Sequence, residues 1–253
     1  MHEYRFADLV TQTLAFESAM MELAQAEPGD VVLLHGCCHN PTGLDLNVPQ
    51  WQAVTYLCAA RGLVPFVDLA YQGLGDGLDE DAHNLRRLMD AIPEALLAYS
   101  CDKNFGLYRE RTGALFVKSR TPQVTASNMA IRARVNWSMP PDHGAAVVRL
   151  VLERDDLRAL WLAELAQMAE RLRAVRQAIA NTDVRLGAVA RQRGMFSTLA
   201  LDKSQVAALR TNHAIYLAPS GRMNIAGLVR DDASRFVEAL ESIAALRGAE
   251  TAS

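Results

Sequence analysis

Four short apolar runs, spaced by stretches of helical periodicity, constrain this chain more than any other feature of its sequence. Val31-Val32-Leu33-Leu34 follows the turn-forming Pro28-Gly29-Asp30 and predicts a buried strand. Residues 48–61 then place Trp51, Val54, Leu57 and Cys58 at helical spacing, and Gly62 stops the pattern. Leu63-Val64-Pro65-Phe66-Val67 predicts the next strand, with Pro65 as its one unfavourable residue. A helix is expected over 81–92, and strands over 95–99 and 113–117. Strand, helix, strand, helix, strand in this order indicates an α/β layer with a mostly parallel sheet. From 145 to 181 the chain is rich in Ala, Leu, Arg and Glu and has no glycine, which predicts long helices. Short strands over 195–201, 215–217 and 223–226, with helices near 204–209 and 233–246, predict a smaller α+β unit at the end. The division expected is 1–170 for the larger part and 171–253 for the smaller.

Charge and composition narrow the class. Lys plus Arg is 26 and Asp plus Glu is 29, so the net charge of −3 offers no basic field to a nucleic acid. The apolar runs are a few residues long, far short of the ~18 that span a bilayer. Met1-His2-Glu3-Tyr4-Arg5 does not resemble a secretory leader. A cytoplasmic globular protein, most often an enzyme, is the expectation. The cysteines are Cys37, Cys38, Cys58 and Cys101, with His35 and His39 flanking the adjacent pair. Successive side chains of an extended segment point to opposite faces, so these four groups do not converge on one ion. Buried thiols and no metal are expected.

Only Lys103, Lys118 and Lys203 can supply a titratable amine, because every other basic residue is arginine. Ligand sites in open α/β sheets gather at the carboxyl ends of the strands. The first predicted strand leads into His39-Asn40-Pro41-Thr42-Gly43, the second ends at Asp68 with Tyr71 close behind, and the third ends at Ser100 with Lys103 and Arg111 following. Each residue alone has an ordinary role as a cap, a turn residue or a solvated side chain. Together they suit pyridoxal phosphate: an amine for its aldehyde, a carboxylate for its ring nitrogen, an amide and a phenol for its ring oxygen, and a hydroxyl and a guanidinium for its phosphate.

Longer motifs carry a resemblance. His35-Gly36-Cys37-Cys38-His39-Asn40-Pro41-Thr42-Gly43, Asp68-Leu69-Ala70-Tyr71-Gln72-Gly73 and Lys103-Asn104-Phe105-Gly106-Leu107-Tyr108 resemble motifs of class I aminotransferases, within them the bacterial aspartate and aromatic amino acid branch. Asn136-Trp137-Ser138-Met139-Pro140-Pro141, Gly194-Met195-Phe196-Ser197 and Ser220-Gly221-Arg222-Met223-Asn224 continue it in the same order, over nearly the whole chain. The resemblance implies the type I fold of pyridoxal-phosphate-dependent transferases: a three-layer large domain, here incomplete, and a smaller α+β domain. It implies a transaminase acting on aspartate or an aromatic amino acid and 2-oxoglutarate, working as a homodimer. Lys103 would be the Schiff-base lysine and proton carrier. Asp68 would face the ring nitrogen, Tyr71 and Asn40 the ring oxygen, and Ser100 and Arg111 the phosphate. Arg222 would clamp the substrate α-carboxylate, with Asn40 beside it. Arg134 would reach across the dimer to a side-chain carboxylate with Ser138 nearby, Phe196 would wall the pocket, and His35 would support it from behind.

Two residues depart from the family pattern. Asp102 stands before the lysine where a small hydroxyl residue is usual, and Arg109 is the partner expected for it. Met139 replaces a polar residue in the Ser-x-Pro-Pro turn. Family members also begin well upstream, and nothing in 1–30 resembles their phosphate loop, stacking ring or dimer arm. The expectation is a C-terminal part of such an enzyme, weakly active as it stands. The competing readings are an inactive remnant or interaction module, and a lyase or decarboxylase on the same scaffold.

Overall fold

The computed structural model describes residues 1–250, with side chains through Ile243. A short antiparallel pair, β1 (Ala7–Asp8) and β2 (Thr13–Leu14), and helix α1 (Phe16–Leu23) precede the sheet. The sheet is built from β3 (Val31–His35), β4 (Val64–Leu69), β5 (Ala95–Ser100) and β6 (Gly113–Lys118), in that spatial order. The pairs β3–β4 and β4–β5 are parallel, with Val32 opposite Pro65 and Asp68 opposite Ala98, whereas β5–β6 is antiparallel. Pro65 therefore lies in a central strand, but as its second residue, near the start where a missing N–H interrupts the ladder least.

Helix α2 (Val48–Arg61) joins β3 to β4. Asn47 caps it through a reciprocal box with Gln50, and Gly62 ends it in the left-handed region at φ 67°. Helix α3 (Leu78–Ala91) begins three residues earlier than its apolar pattern, because Asp79, Glu80 and Asp81 favour the amino end of a helix. The buried Asp81 carboxylate also accepts the N–H groups of Gly73, Gly75 and Asp76, which ties down the turn before α3.

Three helices follow β6: α4 (Pro122–Trp137), α5 (His143–Glu153) and α6 (Asp155–Thr182). Sequence periodicity does not find α4, and no residue of it is buried. Helix α6 buries Leu165, Ala169, Leu172, Val175, Arg176 and Ile179, a stripe at helical spacing. One apolar core joins Val32, Leu34, Val67 and Leu69 of the sheet to Leu165, Leu172 and Val175 of α6 and to Phe236 and Val237. Those last two lie on α8 (Ala233–Glu250). The expected division at 170/171 thus falls inside α6. Val31 and Leu33, on the other face of β3, and Leu115 and Phe116 of β6 are exposed.

The end of the chain corrects several expectations. Strands β7 (Phe196–Thr198) and β8 (Arg222–Asn224) pair antiparallel but are three residues each. Residues 215–217 form no strand, and Ile225–Gly227 is a 3₁₀ turn in which the Asn224 side chain accepts the Ala226 N–H. Helix α7 (Lys203–His213) runs beyond the predicted 204–209, with Asp202 and Gln205 forming a second capping box. Among the described residues, no helix is long and apolar enough to cross a membrane.

Candidate active site

The loop after β3 is held by its own backbone. The Asp45 carboxylate accepts the N–H groups of Cys38 (2.8 Å) and His39 (3.0 Å), and the Asn40 N–H donates to His35 Nδ1 at 3.2 Å. Gly43 closes the loop at φ +71°, where a Cβ would stand 2.6 Å from the Phe196 carbonyl oxygen, so only glycine fits. Asn40 is thereby aimed at Tyr71, and its Nδ2 donates to the phenol oxygen at 3.1 Å. Behind them the His35 and His39 rings lie 4.5 Å apart, and Phe6 stacks on His39 at 3.9 Å. Burial pushes both imidazoles toward the neutral form. His35 is lowered although the Asp68 carboxylate opposes the shift, and His39 falls to about 3 with His35 adding to it.

Tyr71 is the centre of the crevice. Burial raises its pKa, the Asn40 hydrogen bond opposes this, and Asp68 adds to it, so the phenol stays protonated. The Lys103 amine lies 5.2 Å from the Tyr71 ring centroid. Phe196 meets Tyr71 edge-on with centroids 6.3 Å apart, and the Arg222 guanidinium lies 5.2 Å from the Phe196 ring centroid. Lys103, Tyr71, Asn40, Phe196 and Arg222 are therefore brought together from five separate segments.

Asn104, Trp161 and Arg176 support this crevice, and sequence reasoning missed all three. Asn104 is buried after Lys103; its Nδ2 donates to the Tyr99 hydroxyl (2.9 Å) and the Gln72 carbonyl (3.3 Å), and its own carbonyl accepts from Trp161 Nε1 at 2.7 Å. Phe105 stacks on Trp161 at 4.4 Å, so α6 clamps the turn that carries the lysine. Arg176 is 1% exposed and donates to the carbonyls of Val189, Arg193, Gly194 and Phe196 and to Gln192 and Ser197. Burial lowers its pKa to about 10, still far above neutral pH, so it remains a cation neutralised by carbonyl dipoles. An arginine on the apolar face of a long helix was the available signal.

Ser100, Asp102 and Arg111 form a second group beside Lys103. The Ser100 hydroxyl accepts the Asp102 N–H at 3.1 Å. Asp102 is 3% exposed, and its Oδ2 accepts a short hydrogen bond from Arg111. Lys103 Nζ is 3.9 Å from the same oxygen. The partner of Asp102 is therefore Arg111 and not Arg109. Arg111 takes φ 53°, and its bond to the Tyr108 carbonyl at 3.0 Å turns it back toward Asp102.

Arg134 and Ser138 are not brought to the crevice within one chain. Arg134 is exposed in the last turn of α4, Ser138 caps that helix, and Met139 follows in the open. The cysteine–histidine stretch also divides. Cys37, Cys38 and Asp81 place ligand-type atoms within 4.8 Å of one another, whereas His35 and His39 lie outside that group. Asp81 is already engaged by three backbone N–H groups. The hydrogen bond to Cys38, and then burial, raise the Cys37 thiol well above its ordinary value, which makes it inert.

The donor set fits pyridoxal phosphate in its chemistry: an amine on a clamped turn, a hydrogen-bonded amide and phenol, a half-buried carboxylate at Asp68, and a guanidinium at Arg111. Residues 1–240 match the family described as aminotransferase class I and II. The chain belongs to that family. It is 48% identical over 248 residues to the tyrosine aminotransferase of Rhizobium meliloti (strain 1021), covering 95% of this chain and 64% of the relative. It is 42% identical to the aspartate aminotransferase of Escherichia coli (strain K12), over 95% of this chain and 63% of that one. Among solved structures, the aromatic-amino-acid aminotransferase from Burkholderia pseudomallei, described as covalently bound to pyridoxal phosphate, superimposes with a TM-score of 0.89 at 37% identity. That match covers 95% of this chain and 62% of the other. This family member thus spans less than two thirds of the length of these relatives, and its α/β fold with a mostly parallel sheet is theirs.

Proposed function

We propose that this chain takes part in transamination between aspartate or an aromatic amino acid and 2-oxoglutarate, with pyridoxal 5'-phosphate held at Lys103. The observation that carries the reading is the Lys103 amine beside Tyr71, itself hydrogen-bonded to Asn40. When bound, the cofactor supplies an electron sink that lets the substrate α-proton leave. Lys103 would hold the cofactor through its amine and would carry the substrate α-proton. Asp68 would pair with the ring nitrogen, Asn40 and Tyr71 would hydrogen-bond the ring oxygen, and Ser100 and Arg111 would hold the phosphate. Arg222, lying against Phe196, receives the α-carboxylate as a bidentate partner.

Arg134 and Ser138, exposed on α4, act on the substrate of a second copy, so the working form is a homodimer. The cofactor would be held by the 1–170 part, and the smaller 171–253 part supplies Phe196 and Arg222 to the substrate side. The relatives' names support aspartate and aromatic substrates, and the four free, buried cysteines support a reducing, cytoplasmic setting.

The test is reduction with borohydride in the presence of pyridoxal phosphate, followed by peptide mass mapping. The adduct is expected on Lys103. Lys118 is held by the Met89 carbonyl at 2.5 Å and the Asp90 carbonyl at 3.3 Å, and Lys203 is exposed at the start of α7. Labelling mainly at either of these would overturn the assignment.

A further inference from the structure

Asp102 places a buried negative charge inside the group of residues that should receive a phosphate. Its backbone N–H donates to the Ser100 hydroxyl oxygen, and its Oδ2 holds Arg111 and lies 3.9 Å from Lys103. The other titratable groups that face it are the Tyr108 phenol and the Cys101 thiol, and burial and the Asp102 charge together hold both neutral. Its second oxygen, Oδ1, is buried with no hydrogen-bond partner among the described residues. A buried carboxylate oxygen left bare is costly for the protein and repels any second anion brought beside it.

We propose that Asp102 is an internal rival of the phosphate ester: its carboxylate occupies Arg111, and the cofactor phosphate must displace or tolerate it. The inference rests on the cofactor reading above. Its physical content is a charge conflict. One guanidinium nitrogen of Arg111 already serves both Asp102 and the Tyr108 carbonyl. A dianion arriving at Ser100 and Arg111 meets the Asp102 carboxylate on the same guanidinium, and like charges at such separations repel. A neutral side chain at 102 would release Arg111, while Ser100 keeps the hydroxyl proton that its bond from the Asp102 N–H does not use. The Asp102 carboxylate, 3.9 Å from Lys103 Nζ, acts on the amine that both ligands use, so the phosphate conflict is read as the difference between pyridoxal phosphate and pyridoxal.

The experiment titrates the purified protein separately with pyridoxal 5'-phosphate and with pyridoxal, following the absorbance of the lysine adduct, for the wild type, Asp102→Ser and Asp102→Asn. Both variants should bind pyridoxal phosphate about tenfold or more tightly relative to pyridoxal, the size expected for removing one close like charge. Calorimetry with inorganic phosphate gives a readout that does not depend on the lysine. Phosphate affinity should rise in both variants and be lost again when Arg111→Ala is added to Asp102→Ser. Unchanged or weaker binding of both phosphate ligands would overturn the proposal and make Asp102 the residue that orients Arg111. Phosphate binding gained without any lysine adduct would support the rivalry and defeat the role given to Lys103 instead.

Discussion

Arg222 and Arg134 carry the same guanidinium but stand in different surroundings, and their loss should read differently. Arg222 lies over the Phe196 ring in the crevice, where any amino acid presents its α-carboxylate. Arg134 projects from a helix with no buried residue. Arg222→Ala should therefore lower kcat/KM for every amino acid, whereas Arg134→Ala should cost aspartate and glutamate about 2–5 kcal/mol of transition-state binding and aromatic substrates much less. Steady-state kinetics with aspartate and phenylalanine would check this, and equal losses for both would make Arg134 a structural residue. Asn40, Tyr71 and Lys103 were legible in sequence because each follows a strand end, whereas Phe196 and Arg222, which open β7 and β8, were legible only through the motifs that carry the family resemblance. Arg176 was not, since its worth lies in carbonyls that meet it only when residues 189–197 fold against α6.

Helices announce themselves by their ends and their buried stripe, and the two signals separate α2 from α4. In α2, Asn47, Gln50 and Gly62 mark both termini, and Trp51, Val54 and Cys58 mark the face. The helix falls where its sequence predicts. Asn47→Ala removes one half of the capping box and should lower global stability by about 1 kcal/mol, read from the urea midpoint at unchanged slope. No loss would mean that packing of Trp51 alone holds the first turn. Helix α4 has Pro122 at its start but no side-chain cap and no buried face, so nothing in its sequence distinguishes it from a polar connection. The short strands β7 and β8 are set by one another and not by local propensity, which is why alternation overextended them.

Across the whole molecule, stability should depend on pH through the buried histidines. His39 has a folded-state pKa near 3 against 6.5 for an unperturbed imidazole. The unfolded chain thus binds more protons between these values, and stability falls as pH drops through that window and levels below it. One such group contributes a slope of about 1.4 kcal/mol per pH unit, and His35, also lowered, acts in the same direction. Burial raises Asp45, which opposes them at the acid end of the window. His39→Gln, which removes the titrating ring, should flatten the stability–pH curve between about pH 6 and 4 by up to about one proton, measured by denaturant titration at each pH. A curve parallel to that of the wild type would show that His39 charges without penalty in the folded state.

The order of strands and helices, the start and end of α2, and the polar residues at each strand end were determined by sequence alone, because apolar period, capping chemistry and chain punctuation are local properties. The antiparallel β6, the helix α4, the pairing of Asp102 with Arg111 in place of Arg109, and the carbonyl nest around Arg176 were decided only in three dimensions. Each depends on groups distant in the chain or on one of several neighbouring arginines turning toward Asp102. Local periodicity cannot tell which of Arg109 and Arg111 will do so, since the choice follows from the φ of 53° at Arg111 and the carbonyl of Tyr108 that turns it toward Asp102.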